Sequence, residues 1–543
     1  MATYKAFGQD PAAYDVIVIG AGFAGLYALH RLRQEGHSVR VLEAGADIGG
    51  TWYWNRYPGA RCDVESMQYS FSFSDEIQQE WNWSQIYAPQ PEILSYIHFV
   101  ADRLDLRRDI QLGTRVTAAR FDDETRTWTV TTQAGELFVA PFCIMATGCL
   151  SVPLEPSIPG LSEFAGPVYR TSDWPGDGVD LTGKRVGLIG TGSSGIQATP
   201  HLAEQARSLT VFQRTPNYSI PANNRPMDPD YEREWKEHYR ERRAAARKTR
   251  NNTLNNAGLV SGRDVAAEER EREFERRWRG EEGTGGIGFM YAYTDMTTDP
   301  EVNRHASDFV KARIAAIVRD PETARKLMPQ DYGIGGKRIC VDTNYFETFN
   351  RENVALVDVR SEPIEAVTAH GVRTSDREYP LDILVLAIGF DAMTGALLRI
   401  DITGRRGEKL RERWAEGPKT YLGMAIAGFP NMFLITGPGS PSVFTNMVTS
   451  IEQHVDWIAD CIAHLQARQG HTIEADEEAQ EKWVAHVNEL AANSLFPKAN
   501  SWYMGVNVPG KPRVFMPYLG GAANYTATCE RVAQNGYEGF HID

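Results

Sequence analysis

The chain has 543 residues and a formal net charge of −14, which argues against nucleic acid and anionic membranes as main partners. Its six cysteines are scattered without CxxC or zinc-ligand spacing, a pattern that predicts reduced thiols in a cytosol, no disulfide framework and no metal site. The length allows about two to four domains. The N-terminal segment lacks the apolar core of a signal peptide, and no apolar run is long enough to span a bilayer. We therefore expect a cytoplasmic protein.

A strand, a glycine turn and a helix form the first predicted unit. Residues 14–19 are a β-branched run typical of a buried parallel strand, and they lead into the turn 20–25 and a helical pattern. The next strand, 39–42, ends at Glu43. Such glycines let a pyrophosphate approach a helix N-terminus, and an acid binds ribose hydroxyls but repels a 2′-phosphate. The unit predicts FAD or NAD(H), with a turn that binds nothing as the alternative. The predicted cofactor residues are Gly20, Gly22, Gly25 and Glu43.

An aromatic segment, residues 49–63, follows this unit. It places two tryptophans, two tyrosines and an arginine within six positions and ends on Asp63. We interpret it as a wall around a flat ring system, because a solvent-facing loop has little use for so much rigid aromatic surface. An aromatic core cluster capped by a surface aspartate is the alternative. The residues predicted to contact the cofactor are Gly50, Thr51, Trp52 and Asp63.

The second unit repeats the first with one reversal of charge. Residues 185–189 are a strand, 190–195 a glycine turn, 196–205 a helix and 209–213 a second strand. This second strand is followed by Arg214, where the first unit has an acid. A base at the adenosine ribose indicates NADP(H), with a solvated strand end as the alternative. Together the two units predict a flavoprotein that takes hydride from NADPH. The predicted cofactor residues are Gly190, Gly192, Ser193, Ser194, Gly195, Arg214 and Thr215.

The rest of the chain predicts the domain order. Residues 226–330 hold helices that are dense in arginine and glutamate, and we interpret them as an inserted helical subdomain without chemistry. The predicted fold is α/β with two Rossmann-like dinucleotide-binding domains and this insertion. The FAD domain comprises 1–150 and 387–543, the NADPH domain 151–225 and 331–386, and the insertion 226–330.

Two motifs carry a resemblance to a known family. The pattern (A/G)GxWxxxx(F/Y)P(G/M)xxxD is matched at every position by residues 49–63, and FxGxxxHxxxW(P/D) by residues 164–175, except that Arg170 stands in place of the histidine. A second departure is Ile388, where the family usually has threonine. Over nearly its whole length the chain resembles the Baeyer–Villiger monooxygenases, which are class B flavoprotein monooxygenases.

The resemblance implies FAD and NADPH as cofactors, and O2 and a ketone as substrates. One oxygen atom is inserted beside the carbonyl to give an ester or lactone, through a C4a-peroxyflavin that Arg338 stabilises and Asp63 helps to orient. Sulfoxidation of thioethers is an expected side activity, and a monomer is expected. Lys337 and Arg214 would bind the 2′-phosphate, and Trp502 would hydrogen-bond the nucleotide. The implied substrate-binding residues are Cys149, Leu150, Ser442, Val443 and Phe444.

Three other functions share parts of this pattern. One is a flavin monooxygenase that oxygenates nitrogen or sulfur. Another is a pyridine nucleotide–disulfide reductase, which needs a cysteine pair near the flavin, where the sequence offers only Cys62. The third is a non-catalytic NADP(H)-binding protein. Spacing alone does not bring Asp63 and Arg338 together. For Arg170 we hypothesise a structural role, through pairing with an acid.

Overall fold

The first glycine turn follows the central strand of a parallel sheet. The computed structural model describes residues 12–543, so most of the N-terminal segment for which no signal peptide is predicted lies outside the described residues. The strand order is Met432–Leu434, Phe142–Met145, Val16–Ile19, Val39–Leu42 and Ile110–Gln111. Val16 and Val18 join one core cluster, whereas Ile17 and Ile19 join another on the opposite face. Burial on both faces explains the uninterrupted apolar run.

The second glycine turn has the same place in a second parallel sheet. Its strand order is Val354–Asp358, Ser208–Gln213, Arg185–Ile189, Ile383–Leu386 and Val168–Arg170. The helices after the two turns are Phe23–Gln34 and Ser193–Gln205. The second of them begins within the turn, at Ser193 and not at the predicted Ile196, because the extended residue Gly192 is its N-cap. The predicted α/β fold with two dinucleotide-binding units is confirmed.

The remaining strands form smaller sheets. A five-stranded sheet beside the first contains Ala12–Ala13, Leu137–Ala140, Thr127–Thr132, Val116–Asp122 and Asp401–Thr403. An antiparallel sheet contains Ile364–Thr368, Gly371–Thr374 and Glu378–Pro380. Two pairs join Ser219–Pro221 to Cys340–Asp342 and Ile473–Ala475 to Phe540–Ile542. The pair with Cys340–Asp342 matters for the site, because it joins the two ends of the insertion and fixes the segment that directly follows Arg338.

The charge-rich insertion packs against both halves of the molecule. Its helices are Pro229–Glu237, Tyr239–Arg247, Ala267–Trp278, Pro300–Ile317 and Pro321–Leu327. Trp235 and Tyr239 join the core of the FAD unit, whereas Phe274 and Trp278 join the core of the NADPH unit. One or two buried aromatics anchor each of the first three of these otherwise polar helices. The domain boundaries at 150, 225, 330 and 386 stay predictions.

The other helices belong mainly to the FAD unit, except Tyr345–Thr348, which packs in the core of the NADPH unit. They are Thr51–Trp54, Asp75–Glu80, Gln90–Arg103, Tyr345–Thr348, Gly395–Arg399, Leu410–Arg413, Met447–Ala467, Glu477–Ala492 and Ala522–Gln534. Met447–Ala467 is capped by the Asn446 side chain, which accepts from Val448 N. Among residues 12–543, no helix combines the length and the apolar composition needed to cross a membrane.

Asp342, in the strand after Arg338, predicts a pH-dependent stability. Its buried carboxylate accepts hydrogen bonds from Ser219 Oγ at 2.5 Å and Tyr345 N at 3.1 Å, yet burial raises its pKa to about 6. Between the unfolded pKa of about 3.9 and this value the native state holds a proton that the unfolded chain has lost, so stability falls as the pH rises through this window. As the pH rises from about 4 to 7, we expect the free energy of unfolding of Asp342→Asn to increase relative to that of wild type by at most about 3 kcal/mol. Thermal unfolding at each pH measures this gain, and a difference independent of pH would contradict it.

Candidate active site

The first glycine turn is closed tightly and leaves its helix N-terminus without a side-chain cap. Gly20 has φ +107°, and a Cβ there would lie 2.5 Å from the Ala146 carbonyl oxygen. A Cβ on Gly25 would lie 1.8 Å from the Gly20 carbonyl oxygen. Helix Phe23–Gln34 has neither a capping side chain nor an acid in its first turn. Its free N–H groups fit the pyrophosphate of a dinucleotide.

Glu43 is fixed at the edge of this turn. Its Oε2 accepts from Ala21 N and its Oε1 from Gly45 N, both at 2.7 Å, and the residue is buried. Each carboxylate oxygen retains a further acceptor position. The structure therefore places an oriented acid beside the first turn, in agreement with the geometry that a ribose hydroxyl needs.

The second turn has the same closure but is open on one side. A Cβ on Gly190 would lie 2.3 Å from the Ala387 carbonyl oxygen, and a Cβ on Gly195 2.1 Å from the Gly190 carbonyl oxygen. A Cβ on Gly192, by contrast, would meet no heavy atom within 4 Å. Helix Ser193–Gln205 also lacks a side-chain cap. The open space above Gly192 fits the approach of a phosphate.

Gly192→Ala tests this space. The φ of −77° at Gly192 suits alanine, so we expect a folded protein that retains FAD. The added methyl group would occupy the position of the pyrophosphate and lower NADPH affinity by about tenfold or more. NADP⁺ titration of the purified variant measures this affinity. Gly195→Ala serves as the contrasting variant, since its Cβ would break the turn itself. Unchanged NADP⁺ affinity in Gly192→Ala would place the nucleotide elsewhere.

Two cations lie together after the second turn. Burial lowers the pKa of Lys337, and the neighbouring positive charge of Arg214 lowers it further. The Lys337 Nζ lies 5.3 Å from the centre of the Tyr332 ring. Thr215 is fixed to the second glycine turn, because its carbonyl oxygen accepts a hydrogen bond from Thr191 Oγ1 at 3.0 Å. Like charges held side by side favour an anion between them, which fits a 2′-phosphate.

Arg214→Ala should therefore weaken NADPH binding selectively. Loss of a charge-assisted contact to phosphate costs about 1.5–3 kcal/mol, so we expect the KM for NADPH to rise about tenfold to a hundredfold. The KM for NADH, which lacks the 2′-phosphate, should change little. Steady-state kinetics with both nucleotides measure the ratio of the KM for NADPH to the KM for NADH. An equal loss with NADH would show that Arg214 does not contact the 2′-phosphate.

The aromatic segment 49–63 connects the two turns. Gly49 N donates to Ala21 O of the first turn at 3.0 Å, and Trp52 packs into the core of the FAD unit. At the other end, Tyr57 OH donates to Gln197 Oε1 at 2.8 Å, on the helix of the second turn. A Cβ on Gly59 would lie 2.4 Å from the Gln197 carbonyl oxygen. The segment is thus a bridge between the two nucleotide sites, a role that the sequence did not show.

Gly50 and Thr51 occupy the junction of this bridge with the first turn. The Cα of Gly50 lies 3.3 Å from the Cβ position of Gly22, so the two glycines face each other. Thr51 is exposed at the start of helix Thr51–Trp54. Both residues therefore lie beside the predicted flavin pyrophosphate.

Arg338 and Asp63 form an ion pair although 275 positions separate them in the sequence. Arg338 Nη2 lies 2.5 Å from Asp63 Oδ2, and Nη1 donates to the carbonyl oxygen of Val443. Burial by itself lowers the pKa of Arg338, but the charge and the hydrogen bond of Asp63 outweigh it and hold that pKa above its ordinary value. The guanidinium is therefore a permanent, oriented positive charge at the junction of the two units.

The predicted substrate residues gather on the other side of this guanidinium. Cys149 and Val443 are buried, and Leu150 and Phe444 are partly buried, in one apolar cluster with Tyr503. The Phe444 and Tyr503 rings are 4.7 Å apart. Ser442 is fully buried with φ +39°, a conformation that a non-glycine residue rarely adopts. The strained turn directs the next carbonyl, that of Val443, at Arg338.

Two tyrosines at this site were missed from the sequence. The Tyr503 and Tyr291 phenols both lie near the Arg338 guanidinium, and burial raises the pKa of both phenols. Trp502 packs on Tyr503 with ring centres 4.3 Å apart. Tyr503 directly follows the predicted Trp502, a signal that could have indicated it. No comparable signal marks Tyr291, which lies in the insertion.

Arg170 pairs with an acid, as hypothesised. Its two terminal nitrogens lie 3.3 and 3.0 Å from the two carboxylate oxygens of Glu155. The hydrogen bond from Arg170 lowers the pKa of Glu155. Arg170 ends the strand Val168–Arg170, which pairs with Leu386 close to Ile388. The pair therefore lies at the connection between the two units.

Comparisons with known proteins agree with this geometry. A family model described as pyridine nucleotide-disulphide oxidoreductase matches residues 17–260. A phenazine N-monooxygenase, PhzNO1, from Lysobacter antibioticus is 44% identical over 98% of this chain and 97% of its own. A Baeyer–Villiger monooxygenase from Pseudooceanicola batsensis is 42% identical over 98% of this chain and 96% of its own. The solved structure of an oxidized steroid monooxygenase bound to NADP matches with a TM-score of 0.94 and 52% identity, over 98% of this chain and 99% of that one.

The family model does not imply disulfide chemistry here. Between Glu43 and Cys143 the only cysteine is Cys62, so this part of the sequence holds no closely spaced thiol pair of the kind that a disulfide reductase needs beside its flavin. What the chain shares with that family is the dinucleotide-binding architecture of residues 17–260.

Proposed function

The chain belongs to the Baeyer–Villiger monooxygenase family, and from this premise we propose that it inserts one oxygen atom of O2 beside a ketone carbonyl, with FAD and NADPH as cofactors, to give an ester or lactone. The observation that carries the proposal is the Arg338–Asp63 pair, which stands between a turn with an acidic edge and a turn with a basic edge. Neither glycine turn alone would distinguish this activity from simple nucleotide binding.

The protein supplies charge and orientation to the reaction. When bound, FAD and NADPH would together supply the redox chemistry that activates O2. Arg338 cannot lose its proton at neutral pH, so it stabilises negative charge that develops on oxygen near it. Asp63 and the Val443 carbonyl hold the guanidinium at two points and fix its direction. Such a preoriented charge needs no reorganisation as the reaction proceeds.

The apolar cluster beside Arg338 excludes water. Val443, Phe444 and Tyr503 pack against one another there, and the low local dielectric strengthens the electrostatic effect of the guanidinium. The same cluster would receive the ketone. Both members of the ion pair come from one chain, so we propose that a monomer suffices for activity.

Oxygenation of nitrogen or sulfur is the second candidate. The observation that favours it is the 44% identity to a phenazine N-monooxygenase over almost the whole chain. We propose sulfoxidation of thioethers as a side activity, because a site that transfers oxygen to a carbonyl also exposes the transferable oxygen to a soft nucleophile.

A parallel substrate assay distinguishes these candidates. The purified protein with FAD and NADPH is offered phenylacetone, a phenyl thioether and a phenazine, and the products are identified by mass spectrometry. We expect an ester from the ketone and a sulfoxide as a lesser product. If only N-oxide or sulfoxide forms, the ketone assignment is wrong. If NADPH is not oxidised with any of the three substrates, the non-catalytic alternative stands.

A further inference from the structure

We propose that Asn303 and Ser307, on helix Pro300–Ile317 of the insertion, are positioning residues for the loop that carries Lys337 and Arg338. The proposal rests on the proposed function, since it assigns Lys337 to the nucleotide and Arg338 to the reaction. It also gives the charge-rich insertion, to which the sequence assigned no chemistry, a part in the active site.

Both side chains act on one residue of the loop, Ile334. Asn303 Nδ2 donates to Ile334 O at 2.7 Å and to Met296 O at 2.8 Å. Ser307 Oγ accepts from Ile334 N at 2.9 Å and donates to Asn303 O at 2.8 Å. Asn303 and Ser307 are each 4% exposed, and Ile334 is 1% exposed. The donor and the acceptor of one buried peptide residue are thus both held by side chains of the helix.

The loop is shaped for this close approach. A Cβ on Gly333 would lie 1.9 Å from Asn303 Oδ1, so only glycine allows the loop to pass the helix at this distance. Gly335 has φ +83°, and Gly336 N donates to Gly333 O at 3.1 Å, which closes a tight turn. Lys337 and Arg338 follow this turn directly. A displacement of Ile334 is therefore transmitted to both charged side chains.

The loop has a second anchor next to the predicted phosphate site. Tyr332 OH donates to Pro216 O at 2.9 Å and lies 2.8 Å from Asn217 Oδ1, just after Arg214 and Thr215. The start of the loop is thus held by two separate sets of contacts, those of Asn303 and Ser307 and those of Tyr332. Tyr332 fixes the loop to the NADPH unit, whereas Asn303 and Ser307 set its distance from the helix.

A joint effect on two functions distinguishes positioning from general stability. Lys337→Ala should weaken NADPH binding alone, and Arg338→Ala should remove ester formation alone. A displaced loop should impair both, because it moves both side chains. Arg304, which lies on the same helix and is largely exposed in a pair with Asp308, provides a matched control.

The test compares Asn303→Ala, Ser307→Ala and Arg304→Ala, each as the full chain loaded with FAD. The affinities for NADP⁺ and for NAD⁺ are measured by calorimetric titration, and the ratio of ester to hydrogen peroxide is measured with phenylacetone. For Asn303→Ala we expect NADP⁺ affinity to fall about tenfold with NAD⁺ affinity nearly unchanged, and the peroxide share to rise. Ser307→Ala should lower the NADP⁺ affinity and raise the peroxide share by smaller factors. Arg304→Ala should match wild type in both measurements.

The proposal is overturned if Asn303→Ala and Ser307→Ala lower the melting temperature but keep the ratio of NADP⁺ to NAD⁺ affinity and the share of peroxide. Should Asn303→Ala fail to fold, Ser307→Ala decides, because it leaves both bonds donated by the Asn303 side chain in place. The nucleotide affinities are independent of turnover. A wild-type protein that makes no ester would therefore contradict the proposed function and still allow the positioning role to be tested by binding.

Discussion

Arg338→Ala is expected to accept electrons from NADPH at close to the wild-type rate and to form essentially no ester. The glycine turns and the cations Arg214 and Lys337 remain in place, so nucleotide binding and flavin reduction should persist. Loss of the permanent charge removes the group that stabilises negative oxygen, an effect worth at least about 10² to 10³ in rate. Anaerobic stopped-flow reduction measures the first step, and gas chromatography after turnover with phenylacetone measures the second.

Arg338→Lys is the matched variant for this experiment. It keeps the charge, but an ammonium on a flexible stem cannot hold Asp63 and the Val443 carbonyl at once in the fixed geometry of a guanidinium. We expect the ester yield of Arg338→Lys to lie between the yields of wild type and Arg338→Ala. If Arg338→Ala retained more than about a tenth of the wild-type ester yield, far less loss than removal of an oxyanion-type contact causes, Arg338 would not be the catalytic group.

Asp63→Asn should lower ester formation about a hundredfold, since a misplacement of about 1 Å at a reacting centre costs about that much. The amide keeps the shape of the carboxylate but loses the charge that holds the Arg338 guanidinium. Reduction by NADPH should be affected less, because Asp63 lies at the far end of the bridge from the first turn. The ester-to-peroxide ratio and the reduction rate are the measurements.

A surface variant, Asp177→Asn, controls for the loss of one negative charge. It should behave as wild type in both measurements. Equal loss of reduction and of ester formation in Asp63→Asn would indicate that the bridge as a whole has moved, and not that Arg338 alone has lost its partner.

Local patterns predicted the two nucleotide units well. Glycine turns with an acid or a base at the next strand end depend on neighbouring residues, and the structure closes both turns as expected around Gly20 and Gly190. The predicted strands 39–42 and 185–189 agree with the structure, and the predicted strands 14–19 and 209–213 differ from it by two residues and one residue at their first ends. Such units can be predicted from the sequence because the turn, strand and helix lie within a few tens of residues of one another.

Long-range arrangements were not predictable from spacing. Asp63 and Arg338 are 275 positions apart, and only the family resemblance suggested that they meet. The contribution of the insertion was missed, because the charges of Ala267–Trp278 conceal its few anchoring residues, such as Phe274 and Trp278. The contacts of Asn303 with Ile334 leave no pattern in the sequence, since a buried asparagine on a helix resembles an exposed one until its partners are known.

The bridge formed by residues 49–63 has a consequence for chimaeric enzymes. Its Tyr57 and Gly59 fit against Gln197 of the second unit with no room for adjustment, while Gly49 and Trp52 belong to the first. Exchanging the NADPH-binding unit between relatives would therefore disturb the contact of Tyr57 and Gly59 with Gln197, unless the donor's counterpart of residues 49–63 is exchanged together with that unit. A recombination boundary placed before residue 49 should preserve the contact with Gln197 better than one placed after residue 63.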